Sequence, residues 1–280
     1  MNNNFILNRV FSQKTIKDLL LSGKSEVLEK AYKKFVSEDL CISNGQKFQE
    51  LYKVLEKSYR NEYYYKNTLL NKLLLGRHSL NTTTALAELS INNSKADFVL
   101  LNGKAVVYEI KTELDTLNRV ENQVVDYYKV FKNVEIVTDE SHLEKVLMLY
   151  NNTEVGISII TKRKTIKNIK KAEPVSTYLD YSSIYKMLRK NERLNILYNY
   201  YHELPEVDSF SEFKRYFKLF KDIPMEVVYD NMVIELKKRS DHVRDNSDQF
   251  SSIPYELKSL LYFGGLPFKV YDTFQKTLKE

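Results

Sequence analysis

The chain is poor in residues that cross-link or punctuate a fold. Among its 280 residues are one cysteine (Cys41), seven glycines, five prolines and no tryptophan. A lone thiol excludes an internal disulfide. With no second thiol or histidine cluster nearby, it also excludes a cysteine-based zinc site, and Cys41 is expected to be a small buried hydrophobe. No stretch approaches the run of about 18 apolar residues that a membrane-crossing helix requires. The opening Met1-Asn2-Asn3-Asn4-Phe5 lacks a charged start leading into a long apolar segment, so a cytoplasmic protein without a membrane partner is expected. The histidines, His78, His142, His202 and His242, are widely separated, and none pairs with another at metal-ligand spacing.

What is present fits a soluble globular protein of one or two domains, with 43% hydrophobic and 29% charged residues. Basic residues outnumber acidic ones by 43 to 37, a mild excess that suits a polyanionic partner as well as it suits a solvated lysine-rich surface. The 21 tyrosines are expected half-buried at core edges rather than as base-stacking platforms.

Taken in order, residues 12–36 read as helical, with Ser12 as N-cap and Gly23 dividing the segment in two. The apolar spacing predicts one long helix over 46–75, ended by Gly76. The period then changes, and Thr84–Ile91 reads as a strand followed by a polar turn at Asn92-Asn93-Ser94.

The most informative stretch is 96–112, two apolar strands joined by a tight turn at Asn102-Gly103. An acid, Asp97, opens the first strand, and Glu109 and Lys111 close the second. Residues two apart on a strand share a face, so Glu109 and Lys111 point the same way as Ala105 and Val107. A two-residue turn would send Asp97 to the other face. A three-residue turn with Gly103 in the left-handed conformation makes Asp97 a diagonal neighbour of Glu109, at about 7–8 Å between Cα atoms, and this second geometry is the one expected. Two carboxylates so placed can grip a hard cation, and a lysine beside them can hold or deprotonate a water.

An acid, a strand turn and then Glu-Ile-Lys (Glu109-Ile110-Lys111) resembles the active-site pattern of the PD-(D/E)XK nuclease superfamily, with Ala96-Asp97 in the leading position. Gln123 and Tyr127, three residues apart on the helix expected next, resemble the Gln-X-X-X-Tyr feature of its RecB-like branch. Together with Asp115-Thr116-Leu117 and Arg119, they make the segment similar to small, mostly uncharacterised bacterial members, some in phage and mobile elements. The resemblance covers residues 84–138. It implies an α/β (mixed α+β) fold with a restriction-endonuclease-like αβββαβ core. It further implies a metal-dependent deoxyribonuclease, with DNA favoured over RNA. Asp97, Glu109 and the Ile110 carbonyl would ligate Mg²⁺ or Mn²⁺, and Lys111 would orient the water. Glu88 would serve as an additional acid, with Glu56 and Glu62 as fallbacks, although Glu88 could equally be a sheet-edge charge. Gln123 would stand beside the site, and Arg119 and Tyr127 would contact substrate, Tyr127 being as readily a core residue. The alternative is a catalytically silent module of the same fold that binds nucleic acid or a protein.

Beyond the hairpin, Asp115 is the expected N-cap of a helix of about four turns bearing Leu117, Val120, Val124, Tyr127, Tyr128 and Phe131. A strand at 134–138 should follow, parallel to the one carrying Glu109. A helix at 143–150 and a strand at 155–161 extend the pattern. Residues 161–171 hold Lys162, Arg163, Lys164, Lys167, Lys170 and Lys171, readable as a phosphate-contacting arm or a solvated linker. After Pro174 the chain reads as helical at 181–200, 209–220 and 225–239, with a short helix from Pro254. The expected division is a helical extension at 1–45, a nuclease-like core at 46–173 and a helical region at 174–280 that could buttress the core or grip a protein partner.

Overall fold

The computed structural model describes residues 5–37, 42–76 and 78–280, the side chain of Phe268 aside. Cys41 lies outside the described residues. The chain forms two compact units.

The first unit comprises the described residues of Met1–Leu80 with Thr112–Leu114 and His242–Glu280, and is helical. Its helices are α1 (Phe5–Val10), α2 (Gln13–Ser22), α3 (Glu26–Phe35), α4 (Asn44–Ser58) and α5 (Glu62–Leu69), the last running into a π-helical turn at Leu70–Leu74. Ser12 caps α2 by accepting from the Thr15 amide, and Gly23 ends it at φ 71°. The single helix predicted over 46–75 is broken: Tyr59 leaves helical geometry, and the Asn61 side chain accepts from the Tyr64 amide to start α5 afresh. Several tyrosines are core rather than edge residues, since Tyr64 and Tyr65 are fully buried.

The second unit, Asn81–Lys111 with Asp115–Asp241, is built on one mixed six-stranded sheet in the order β1-β2-β3-β4-β5-β6. The strands are β1 (Thr84–Ile91), β2 (Ser94–Asn102), β3 (Lys104–Lys111), β4 (Asn133–Thr138), β5 (Gly156–Ile160) and β6 (Ile166–Lys170). β1, β2 and β3 form an antiparallel meander. Helix α6 (Val120–Tyr128) then returns the chain to β4, parallel to β3, and α7 (Leu143–Tyr150) leads to β5, parallel to β4. Helix α6 has nine residues, shorter than expected, and Arg119 occupies its N-cap without a side-chain capping bond, so Asp115 is not the cap. The basic run is not a linker, because its second half is β6, paired antiparallel with β5.

The helices α8 (Tyr181–Met187), α9 (Lys190–Tyr201), α10 (Glu212–Asp222) and α11 (Met225–Lys238) belong to the sheet unit. Ile184, Leu197, Phe220, Met232 and Leu236 share one core with Val99, Leu101, Val107, Val124 and Tyr127. The segments 46–173 and 174–280 are therefore each distributed over both units. The chain passes back to the helical unit through α12 (Asp241–Arg244), then α13 (Ser247–Ser251), α14 (Lys258–Gly264) and α15 (Tyr271–Lys279). Among the described residues no helix is long and apolar enough to cross a membrane.

Candidate functional site

The site grows from the β2–β3 hairpin. Asn102 pairs with Lys104 around Gly103, whose φ of 63° is the left-handed value expected of it. Paired positions consequently sum to an even number. The register carried one step past the last bridged pair, Phe98 with Tyr108, sets Asp97 directly across from Glu109, closer than the predicted diagonal. Residues Ala105 and Val107, on the face of Glu109 and Lys111, lie in the core with Val120, Val124 and Tyr127 of α6, so this helix covers the two charged groups.

Simple alternation fails on the other side of Asp97. Leu86 shares the core with Leu89 and Ile91, and Ala96 shares it with Val99 and Leu101, so both strands change phase by one residue across Glu88 and Asp97. These two face each other in the register but form no bridge, and Glu88 adopts φ 56°, a conformation a residue with a Cβ rarely accepts. The Asp97 carboxylate Oδ2 accepts the Ile110 amide at 2.8 Å, taking the place of a backbone acceptor and tying β2 to the middle of Glu109-Ile110-Lys111.

Glu109 has no exposed surface, and Lys111 is 8% exposed. The Lys111 ammonium lies 2.7 Å from Glu109 Oε1 and donates to Gln123 Oε1 at 3.0 Å. The contact with Glu109 lacks the direction of a hydrogen bond, so the buried Oε1 receives no hydrogen bond among the described residues. Tyr127 donates its hydroxyl to Glu109 Oε2 at 2.6 Å and also reaches the Lys95 carbonyl at 2.9 Å. Burial pushes the Glu109 carboxyl up from its ordinary value, opposed by the Lys111 charge and by the neighbouring donor groups of Lys111, Tyr127 and Gln123. Burial, then the negative charge of Glu109, raises the Tyr127 phenol, which stays a proton donor.

Glu88 is exposed, pairs with Lys95 at 3.0 Å and brings a carboxylate oxygen within 4.8 Å of one on Asp97. Glu109 does not join those two in a single group at that spacing among the described residues. The structure therefore brings Asp97, Glu109, Ile110, Lys111, Gln123 and Tyr127 together and sets Glu88 beside Asp97. Arg119 is exposed at the start of α6 and makes no side-chain contact of this network. Glu56 and Glu62 lie in α4 and α5 of the helical unit, where Glu62 pairs with Lys66. The bond between Tyr127 and Glu109 and the pairing of Glu88 with Lys95 were not among the sequence-based expectations. The Gln-X-X-X-Tyr spacing was the available signal for the first.

The chemistry of this donor set suits a hard divalent cation. Its oxygens come from carboxylates, one of them a buried atom with no hydrogen-bond donor, and a cationic ammonium stands alongside.

Compared with known proteins, residues 55–260 match the model of the family described as bacteriophage P4 protein cII. No curated protein matches the chain. A solved structure, the SPO1766 protein of unknown function from Silicibacter pomeroyi, is similar at 15% identity over 46% of this chain and 87% of that one, with a TM-score of 0.29.

Proposed function

The chain belongs to the family of bacteriophage P4 protein cII, and within that family we propose that it hydrolyses phosphodiester bonds in nucleic acid, DNA in preference to RNA, in a reaction dependent on a divalent cation. The observation that carries the reading is the constellation of buried Glu109 and Lys111 on β3 with Gln123 and Tyr127 of α6. A buried ion pair seldom stabilises a fold beyond what apolar residues of similar size achieve, so two charges on an otherwise apolar sheet face ask for a chemical reason.

Asp97 and Glu109, with the Ile110 carbonyl and Glu88 as further oxygens, would hold Mg²⁺ or Mn²⁺. Such an ion supplies charge stabilisation for the phosphoryl oxygens. The chain's own groups do the rest. Tyr127 fixes the Glu109 carboxylate through Oε2 and leaves Oε1 as the acceptor directed to the site. Asp97 is fixed by the Ile110 amide. Lys111 has three N–H donors, of which Gln123 engages one, while Glu109 Oε1 lies 2.7 Å from the ammonium as an ion-pair partner. A remaining N–H can hold a water in line with the phosphorus and assist its deprotonation. Arg119 would meet a substrate phosphate.

A second reading is favoured by the same ion pair: with its ammonium engaged by Glu109 and Gln123, Lys111 could be structural, and the unit a silent module that binds nucleic acid or a protein. Incubation with plasmid, linear duplex, single strand and RNA, each with Mg²⁺, Mn²⁺ or EDTA, separates the two. Cleavage of at least one form with metal and none in EDTA supports hydrolysis, whereas binding that ignores EDTA and no cleavage supports the silent module.

A further inference from the structure

At the far edge of the same sheet, the chain runs from Glu154 to Glu173 without an acidic residue, while Lys162, Arg163, Lys164, Lys167, Lys170 and Lys171 fall between. This segment is the β5–β6 hairpin. Thr161 and Thr165 close its tip through a backbone bond of 3.0 Å and hydroxyls 2.7 Å apart. Among the described residues β6 pairs only with β5, so its outer side is a sheet edge.

Two of the six cations are set apart by local structure. Lys170 donates to the Tyr150 and Thr153 carbonyl oxygens, and Lys164 occupies the turn at φ 59°. The other four, Lys162, Arg163, Lys167 and Lys171, are exposed, and their side chains make no hydrogen bond or ion pair among the described residues. Lysines on an edge strand can serve only to block edge-to-edge pairing. That role needs charge of either sign, however, and explains neither the exclusion of acids over the whole hairpin nor the cations at its tip.

We propose that this hairpin edge is a nucleic-acid backbone contact, with Lys162, Arg163, Lys167 and Lys171 meeting phosphates. Cations spread from the hairpin tip (Lys162 and Arg163) through Lys167 of β6 to Lys171 just past the strand, with no hydrogen bond or ion pair among the described residues, match a linear polyanion. A lipid surface fits less well, because insertion at a bilayer interface needs apolar side chains beside the charges, and no large hydrophobic residue of the hairpin is exposed. A protein partner would likewise need apolar or aromatic anchors. The choice of nucleic acid among polyanions rests on the phosphodiester reading above.

The test measures binding of a short fluorescent duplex and of the corresponding single strand by anisotropy across a salt series in EDTA, where hydrolysis plays no part. The full chain is compared with the Lys162→Glu, Arg163→Glu, Lys167→Glu, Lys171→Glu variant. The variant keeps charge on the edge, so loss of binding cannot be ascribed to loss of edge protection. Its affinity should fall about tenfold or more, and the slope of log affinity against log salt should shrink by about 3 to 4, or roughly 0.9 per phosphate contact. The milder Lys162→Gln, Arg163→Gln variant should show about half that change in slope, with an unchanged circular dichroism spectrum. Unchanged affinity and slope, no nucleic-acid binding by the parent chain, or tighter binding to anionic phosphatidylserine vesicles than to nucleic acid would each overturn the proposal. Metal-dependent cleavage by Lys111 is read in a separate assay, so failure of that reading leaves this result interpretable.

Discussion

The Tyr127 hydroxyl donates to Glu109 Oε2 across 2.6 Å, and through this one bond α6 fixes the orientation of a carboxylate that has no contact with solvent. The bond links a helix to the strand it covers, and it leaves the opposite oxygen of Glu109 facing Lys111.

Replacing the phenol with phenyl in Tyr127→Phe keeps the packing and deletes the donor. Hydrogen bonds to charged groups are worth about 1.5–3 kcal/mol, so urea unfolding should show a loss of that order. Cleavage should fall as well, because the carboxylate loses its fixed orientation. Wild-type stability together with wild-type cleavage would show the bond to be incidental.

Glu88 offers a separation of strain from chemistry. Its φ of 56° costs about 1–2 kcal/mol for a residue with a Cβ, while glycine brings an unfolded-state penalty of about 0.5–1 kcal/mol. Glu88→Gly should therefore leave thermal stability unchanged or slightly raised, and Glu88→Val should lower it. If the carboxylate near Asp97 serves the site, both variants lose activity alike. Activity equal to the parent in the glycine variant would remove Glu88 from the site.

At the hairpin tip, a Cβ built on Gly103 would meet nothing within 4 Å, so only the backbone conformation resists substitution. Gly103→Ala should cost about 1–2 kcal/mol in urea unfolding and Gly103→Asn less, since asparagine tolerates the left-handed region. Equal costs for both would point to a packing origin instead.

Arg239 holds buried Glu192 with two hydrogen bonds, of 2.7 and 2.6 Å. Burial by itself would raise the Glu192 carboxyl. The Arg239 hydrogen bonds, the Arg189 backbone amide and both guanidinium charges outweigh it and hold the carboxyl below its ordinary value of 4.5. A depressed acid contributes stability in full above the unfolded-state value and loses it as pH falls through that value toward the folded one. Arg239→Gln should thus cost about 3–5 kcal/mol near neutrality, and its deficit against the parent should shrink as the acidic range is entered. A deficit independent of pH would contradict this assignment.

Much of the sheet was legible because alternation and helical spacing are local signals. The hairpin at Gly103, the parallel return to β4 and the shared face of Glu109 and Lys111 followed from them. The phase change at Glu88 and Asp97 did not, since a left-handed glutamate on a strand is held by its surroundings and leaves no trace in composition. The break at Tyr59 was missed because the apolar stripe continues across it while a single side chain, Asn61, restarts the helix. The basic run concealed β6 because its apolar residues Ile166 and Ile169 are separated by Lys167 and Asn168, which read as solvated. The core shared by the sheet with α8 to α11 depends on contacts far apart in sequence, which periodicity cannot pair.

The most direct measurement is the single-turnover cleavage rate of the parent chain and of Lys111→Ala, with Mg²⁺ or Mn²⁺ and with EDTA, on whichever nucleic-acid form is cut. The account predicts metal-dependent cleavage by the parent, and a loss of at least about a hundredfold in the variant, the scale of a lost acid–base group, with its unfolding transition still cooperative. Cleavage by Lys111→Ala at the parental rate, or cleavage by the parent that persists in EDTA, would contradict it.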